Sequence, residues 1–257
     1  MKVFKDLYQY RELLKTSVKK EVRGRYKNSF FGVLWSFLNP LLQIAVYAII
    51  FPIILKNNIE NYVVFLCAGL LPWTFFTAAV SQSSFIFISN TNIVKKVYFP
   101  REILPISVVT SSLINFLISV IIVIALSLVY GMGLSWYLVF FPIIVIVQYI
   151  FQLGISFIVS AITVYFRDIE HFIGIALQVL FYATPIVYDA ATIPGSFQII
   201  MKLNPMAYFI TAYRSIFYYH TMPDWGGILL MLALSIVLIV VGYLIFRKLQ
   251  KGFAEEL

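Results

Sequence analysis

Long runs without a charged residue alternate along this chain with short charged islands. Asn61 to Val94 carries no charge, and neither does Ile103 to Phe166. Between them sits a charged, proline-bounded stretch, NIVKKVYFPREILP, from Asn92 to Pro105. A helix rises about 1.5 Å per residue, so about 20 apolar residues are needed to cross a hydrocarbon core of about 30 Å. The pattern therefore predicts six spans: Ser29 to Leu55, Tyr62 to Ser89, Ile106 to Tyr130, Trp136 to Tyr165, Phe172 to Tyr188 and Trp225 to Phe246. The third and fourth divide at Tyr130-Gly-Met-Gly-Leu-Ser-Trp136, where paired glycines break a helix and Tyr and Trp favour the membrane interface. Pro40 and Pro52 are expected to kink or end the first span, which a helix bundle tolerates when neighbours satisfy the freed carbonyls.

The segments between and before the spans have patterns of their own. From Lys2 to Lys20, Val3, Leu7, Tyr10, Leu14 and Val18 recur at steps of three or four between charged residues, which predicts an amphipathic helix. Its aromatic edges and lysines suit the headgroup boundary, and packing on a soluble partner would use the same face. Glu21 to Asn28 reads as a basic turn broken at Gly24. The least regular region is Asp189 to Asp224. In it, Asn204-Pro205 reads as an N-cap with a first-turn proline, opening a helix from Met206 to Tyr219 that is too short to span.

Composition fits this picture. Of 257 residues, 61% are hydrophobic and only 12% charged, with 17 Tyr and 24 Phe, outside the range of soluble domains. The expected class is an all-α polytopic membrane protein forming a single transmembrane domain over residues 1–257. The net charge of +8 comes from Lys and Arg flanking the apolar runs, and no nucleic-acid-binding motif accompanies it. Sixteen of the 19 basic residues lie on the side of the termini and of the two islands, Asn92–Pro105 and Phe166–His171. By the positive-inside rule that side is cytoplasmic, which puts Asp189 to Asp224 outside. The opening Met-Lys-Val-Phe-Lys-Asp does not resemble a cleaved signal peptide.

Chemistry is sparse. There is no phosphate-binding GxxxxGK[ST] loop, no HExxH and no CxxC, and Cys67 is the single cysteine. The spans hold almost no ionisable residue of the kind ion-coupled transporters use. His171 and His220 fall on opposite faces of the expected topology and so cannot act as a pair. The aromatic group Tyr208, Phe209, Tyr213 and Phe217 could form an interfacial belt or a stacking track for sugar rings. Arg23, Arg25 and Lys27 could anchor the chain to anionic lipid or attract a phosphorylated headgroup.

Several stretches together resemble the permease subunit of ABC-2 type exporters, in the polysaccharide branch that handles O-antigen, capsular polysaccharide or teichoic acid. They are Arg25-Tyr-Lys-Asn-Ser-Phe-Phe-Gly-Val-Leu-Trp35 with Leu38-Asn-Pro40, Lys96-Val-Tyr-Phe-Pro-Arg-Glu-Ile-Leu-Pro105, Tyr165-Phe-Arg-Asp168 and Leu203-Asn-Pro205. The resemblance covers essentially the whole chain. It implies a homodimer paired with two copies of a separate ATPase that carries ATP and Mg, so no cofactor and no enzymatic activity are expected on this chain. It further implies a coupling helix near Thr91 to Tyr98, with Asn92, Ile93, Val94, Lys95, Lys96, Val97 and Tyr98 meeting the ATPase. The expected substrate is a lipid-pyrophosphate-linked glycan, moved across the bacterial inner membrane with both termini cytoplasmic. An ABC-2 exporter of a lipid, drug or antibiotic is the alternative.

Overall fold

The computed structural model describes residues 8–24, 34–55, 59–190, 194–195 and 198–257, and all regular structure among them is helical. Four helices are long and apolar enough to cross a membrane. They are α3 (Tyr62–Ser89), α5 (Ile103–Val129), α6 (Phe141–Tyr165) with the 3-10 turn Trp136–Phe140 before it, and α10 (Trp225–Leu249). Two shorter apolar stretches accompany them, Phe37–Ile53 within α2 (Trp35–Leu55) and α7 (Ile169–Tyr182). The remaining helices are α1 (Arg11–Gly24), α4 (Thr91–Lys96), α8 (Gln198–Leu203), α9 (Pro205–Phe217) and α11 (Phe253–Glu256).

Helix α3 is the centre of the bundle. It packs against α2, α5, α6, α7 and α9, and its side chains from Val64 to Trp73 are buried almost without interruption. A helix apolar all round, as this one is, has to be enclosed. Helix α10 lies at the periphery against α6, where two glycines permit very close approach. A Cβ on Gly154 would lie 2.7 Å from Ile239 N, and one on Gly242 would run into the Gly154 carbonyl. In lipid, where burying apolar surface does not drive helices together, such small-residue contacts let backbones pack by van der Waals attraction.

Several boundaries differ from expectation. The first helix takes in Glu21 to Gly24 as its last turn, and Arg25 to Asn28 of the expected basic turn lie outside the described residues. Both Pro40 and Pro52 lie inside α2 without ending it. Helix α5 begins at Ile103, three residues early, because Pro105 is tolerated in a first turn. The fifth apolar stretch ends at Tyr182, not Tyr188. Thr184 precedes Pro185, and the proline ring disfavours helical geometry at the residue before it. At 14 residues α7 is about 21 Å long, well below a full crossing. The break at Tyr130–Gly133 takes the expected form, with φ of 71° at Gly131 and 72° at Gly133.

The segment after α10 is not a free polar tail. It turns back through Gln250–Gly252 into α11, and Phe253 is fully buried among Phe87, Phe246 and Tyr165. The Tyr165 hydroxyl donates to Leu249 O at 2.7 Å, which pins the turn.

Candidate functional site

The charged island folds as a short helix hung from the end of α3. Asn90 is the pivot: its Nδ2 donates to Ile86 O at 2.8 Å, and its own carbonyl accepts from Ile93 N and Val94 N. One buried side chain, Val94, anchors α4 in a cluster that includes Phe87, Phe99, Ile103, Phe246 and Phe253. Asn92, Ile93, Lys95, Lys96, Val97 and Tyr98 are all exposed, and Tyr98 is 94% exposed. Beyond Lys96 the chain is extended at Val97 and turns inward at the buried Phe99.

This surface combines apolar groups with two cations on a short element that has little packing of its own. Water is a poor solvent for Ile93, Val97 and Tyr98, and nothing in the described residues covers them. A contiguous exposed patch of this kind is characteristic of a surface that meets a partner. The remainder of the island plays a different part. Arg101 donates to Gln250 O and lies over the Phe253 ring, and Gln250 Nε2 donates to Glu102 Oε1 at 3.5 Å. Arg101 and Glu102 therefore fasten the folded tail to the start of α5.

Helix α1 reaches the same place. Lys20 Nζ donates to Asn90 Oδ1 at 2.6 Å, and Tyr10, Leu13 and Leu14 pack against the cluster that holds Val94. Arg23, the described member of the three expected headgroup cations, is exposed at the end of α1. Arg25 and Lys27 lie outside the described residues.

At the other end of the bundle the aromatic helix is a core element. Asn204 caps α9 by accepting from Met206 N at 3.0 Å, and it also donates to Thr184 Oγ1 at 2.7 Å. Phe209, Tyr213 and Phe217, spaced by four on one face, are all buried. The Tyr213 hydroxyl donates to Gln148 Oε1 at 2.9 Å, and Gln148 Nε2 donates to Pro72 O at 2.9 Å. Tyr208 lies off that face, half-buried at a pocket of about 220 Å³ that also holds Lys202 and Asp224. The repeat of four among Phe209, Tyr213 and Phe217 is the sequence signal that they share a packed face.

Sequence reasoning gave no special place to Arg214, which is 3% exposed. Its Nη1 and Nη2 donate to Pro185 O and Ile186 O, each at 2.6 Å, and its guanidinium lies 3.5 Å from the centre of the Phe65 ring. Burial pulls its pKa down to about 10, opposed by Tyr219 and Asp189, so it stays cationic at neutral pH. It closes the irregular chain after α7 onto α9 and α3. A lone cation in an uncharged aromatic helix was the available sign.

The matching family is the ABC-2 type transporter family, over residues 12–218. The chain belongs to that family. Its full length is 37% identical, over 259 residues and all of the relative, to the O-antigen export system permease protein RfbA of Myxococcus xanthus. It is 40% identical over 248 residues to the protein of the same name from Klebsiella pneumoniae, covering 96% of this chain and 95% of the relative. A more distant relative is the polysialic acid transport protein KpsM of Escherichia coli, 23% identical over 202 residues. This ABC-2 chain is accordingly a multi-pass protein of the bacterial inner membrane.

Proposed function

We propose that this chain is the transmembrane subunit of an ATP-driven exporter that moves a lipid-linked, O-antigen-like polysaccharide from the cytoplasmic to the external side. The observation that carries this reading is end-to-end similarity, at 37% and 40% identity, to permeases of O-antigen export. ATP hydrolysis, with its Mg, belongs to a separate subunit, two copies of which pair with a homodimer of this chain. In this reading α2 and α7 complete six crossings, and α7 spans with the help of the irregular residues after Tyr182.

Helix α4 is the docking element. The exposed Ile93, Val97 and Tyr98 enter an apolar groove of the ATPase, with Asn92, Lys95 and Lys96 at its polar rim, while Val94 keeps the helix attached to the bundle. Motion imposed there passes directly to α3 through Asn90 and to α1 through Lys20. Arg23, Arg25 and Lys27 attract the pyrophosphate of the lipid-linked glycan. Tyr208 is the aromatic of its group with surface to offer a sugar, while Phe209, Tyr213 and Phe217 support it from the core.

The test is complementation. In cells lacking their own O-antigen permease but retaining its ATPase, this chain is expected to restore polysaccharide at the cell surface. Lipid-linked polymer accumulating inside despite normal membrane levels of the chain would refute the reading.

A further inference from the structure

Between α1 and α5 runs a groove of about 490 Å³, in the size range of ligand sites. Its rim is cationic: Lys15, Lys19 and Arg23 follow one another at intervals of four along α1 and so project from one side of the helix. Its floor is apolar, formed by Leu14, Val18 and Val22 with Ile114 of α5. The remaining lining group, Thr110, already shares a hydrogen bond of 2.9 Å with the Tyr149 hydroxyl.

Contacts on its other faces fix α1 against the bundle. Leu13 and Tyr10 seat one end of α1 on the core, and Lys20 ties the other end to Asn90. Lys15 is partly compensated by Glu12 at 2.9 Å, whereas Lys19 and Arg23 have no ion-pair partner among the described residues. The lining therefore carries surplus positive charge directly above an apolar trough.

We propose that this groove binds one anionic phospholipid of the cytoplasmic leaflet, its phosphate held by Lys15 and Lys19 and an acyl chain laid over Val18, Val22 and Ile114. Charge complementarity selects an anion, and the apolar floor selects one with a hydrocarbon chain over free phosphate. A glycan is disfavoured, because no aromatic side chain lines the described groove to stack on a sugar and its one hydroxyl is engaged by Tyr149. The proposal is of a discrete site shared between α1 and a spanning helix, beyond general adhesion of an amphipathic helix to a membrane. It rests on the orientation given under the proposed function.

Native mass spectrometry of the detergent-solubilised chain, titrated with phosphatidylglycerol or phosphatidylcholine, tests it without any ATPase or glycan. The first phosphatidylglycerol is expected to bind about tenfold more tightly than phosphatidylcholine. Lys15→Gln/Lys19→Gln should erase that preference. Ile114→Trp, which fills the trough and leaves the charge unchanged, should remove the first site while later, weaker adducts persist. Equal binding of the two lipids, or an unaltered first site in Ile114→Trp, overturns the proposal. Displacement of phosphatidylglycerol by a polyprenyl pyrophosphate assigns the groove to substrate, and loss of the site in dimers but not monomers assigns it to the subunit interface. Either result also overturns it. A chain that binds phosphatidylglycerol as described but exports no polysaccharide would contradict the proposed function alone.

Discussion

Lys20 and Asn90, 70 positions apart, meet in a hydrogen bond of 2.6 Å that joins α1 to the root of α4. Asn90 is buried and already engaged with Ile86 and Ser89, so the lysine completes its hydrogen bonding. In the proposed mechanism, displacement of α4 carries α1 with it through this pair.

Replacing Lys20 with Met keeps the aliphatic stem and deletes the donor. Lys20 is solvent-exposed, so the loss in stability is small, about 1 kcal/mol. The expected phenotype is a several-fold fall in polysaccharide export with ATPase association unchanged, and Lys20→Arg should recover part of it. Surface polysaccharide quantified against permease level in the membrane provides the check.

The aromatic core of α9 makes a different prediction. Tyr213→Phe leaves Gln148 Oε1 buried without its phenolic donor, a loss of about 1–3 kcal/mol. Phe217→Ala opens a cavity against Phe141 and should destabilise by about 3–5 kcal/mol. Both should lower the thermal unfolding temperature of the purified chain, and export per folded molecule should stay near wild type for Tyr213→Phe. Tyr208→Ala should do the reverse, lowering export with little change in unfolding temperature.

Arg214→Ala strands the Pro185 and Ile186 carbonyls in a buried place and removes the cation from the face of Phe65. The expected result is a chain that fails to accumulate in the membrane. Arg214→Lys supplies a charge but not the planar fork that reaches two carbonyls, so it should accumulate at an intermediate level. Immunoblots of membrane fractions distinguish the three chains.

The contact of α6 with α10 is equally specific. Gly242→Val places side-chain atoms where the Gly154 carbonyl now lies, and overpacking of this kind typically costs about 1–3 kcal/mol. Size-exclusion profiles after stepwise heating should show aggregation at a lower temperature than wild type.

Four long apolar helices were legible because a hydrocarbon core leaves long uncharged runs no alternative but helix, and Asn204-Pro205 was legible because capping is local chemistry. Contacts between distant positions were not. Nothing in the sequence near Lys20 marks Asn90 as its partner, and a single Phe253 in a polar tail has no period that would announce its burial. The end of α7 at Tyr182 turned on Thr184 preceding Pro185, a weaker signal than the apolar run that continues through Val187. Aromatic content alone could not say which faces of α9 are enclosed; the spacing of Phe209, Tyr213 and Phe217 could. The exposed side of α4 was visible as an island of charge, but only the fold showed Val94 turned inward and Tyr98 outward.

Docking of an ATPase on α4 is the central claim, and capture of the cognate ATPase subunit by the purified chain measures it most directly. Wild-type chain should retain the ATPase. Lys95→Glu/Lys96→Glu combined with Tyr98→Ala should weaken capture by about thirtyfold, the effect of losing about 2 kcal/mol at an interface centre. All three changes fall on exposed side chains, so the variant should remain folded. Capture by the variant equal to that by wild type would contradict the account.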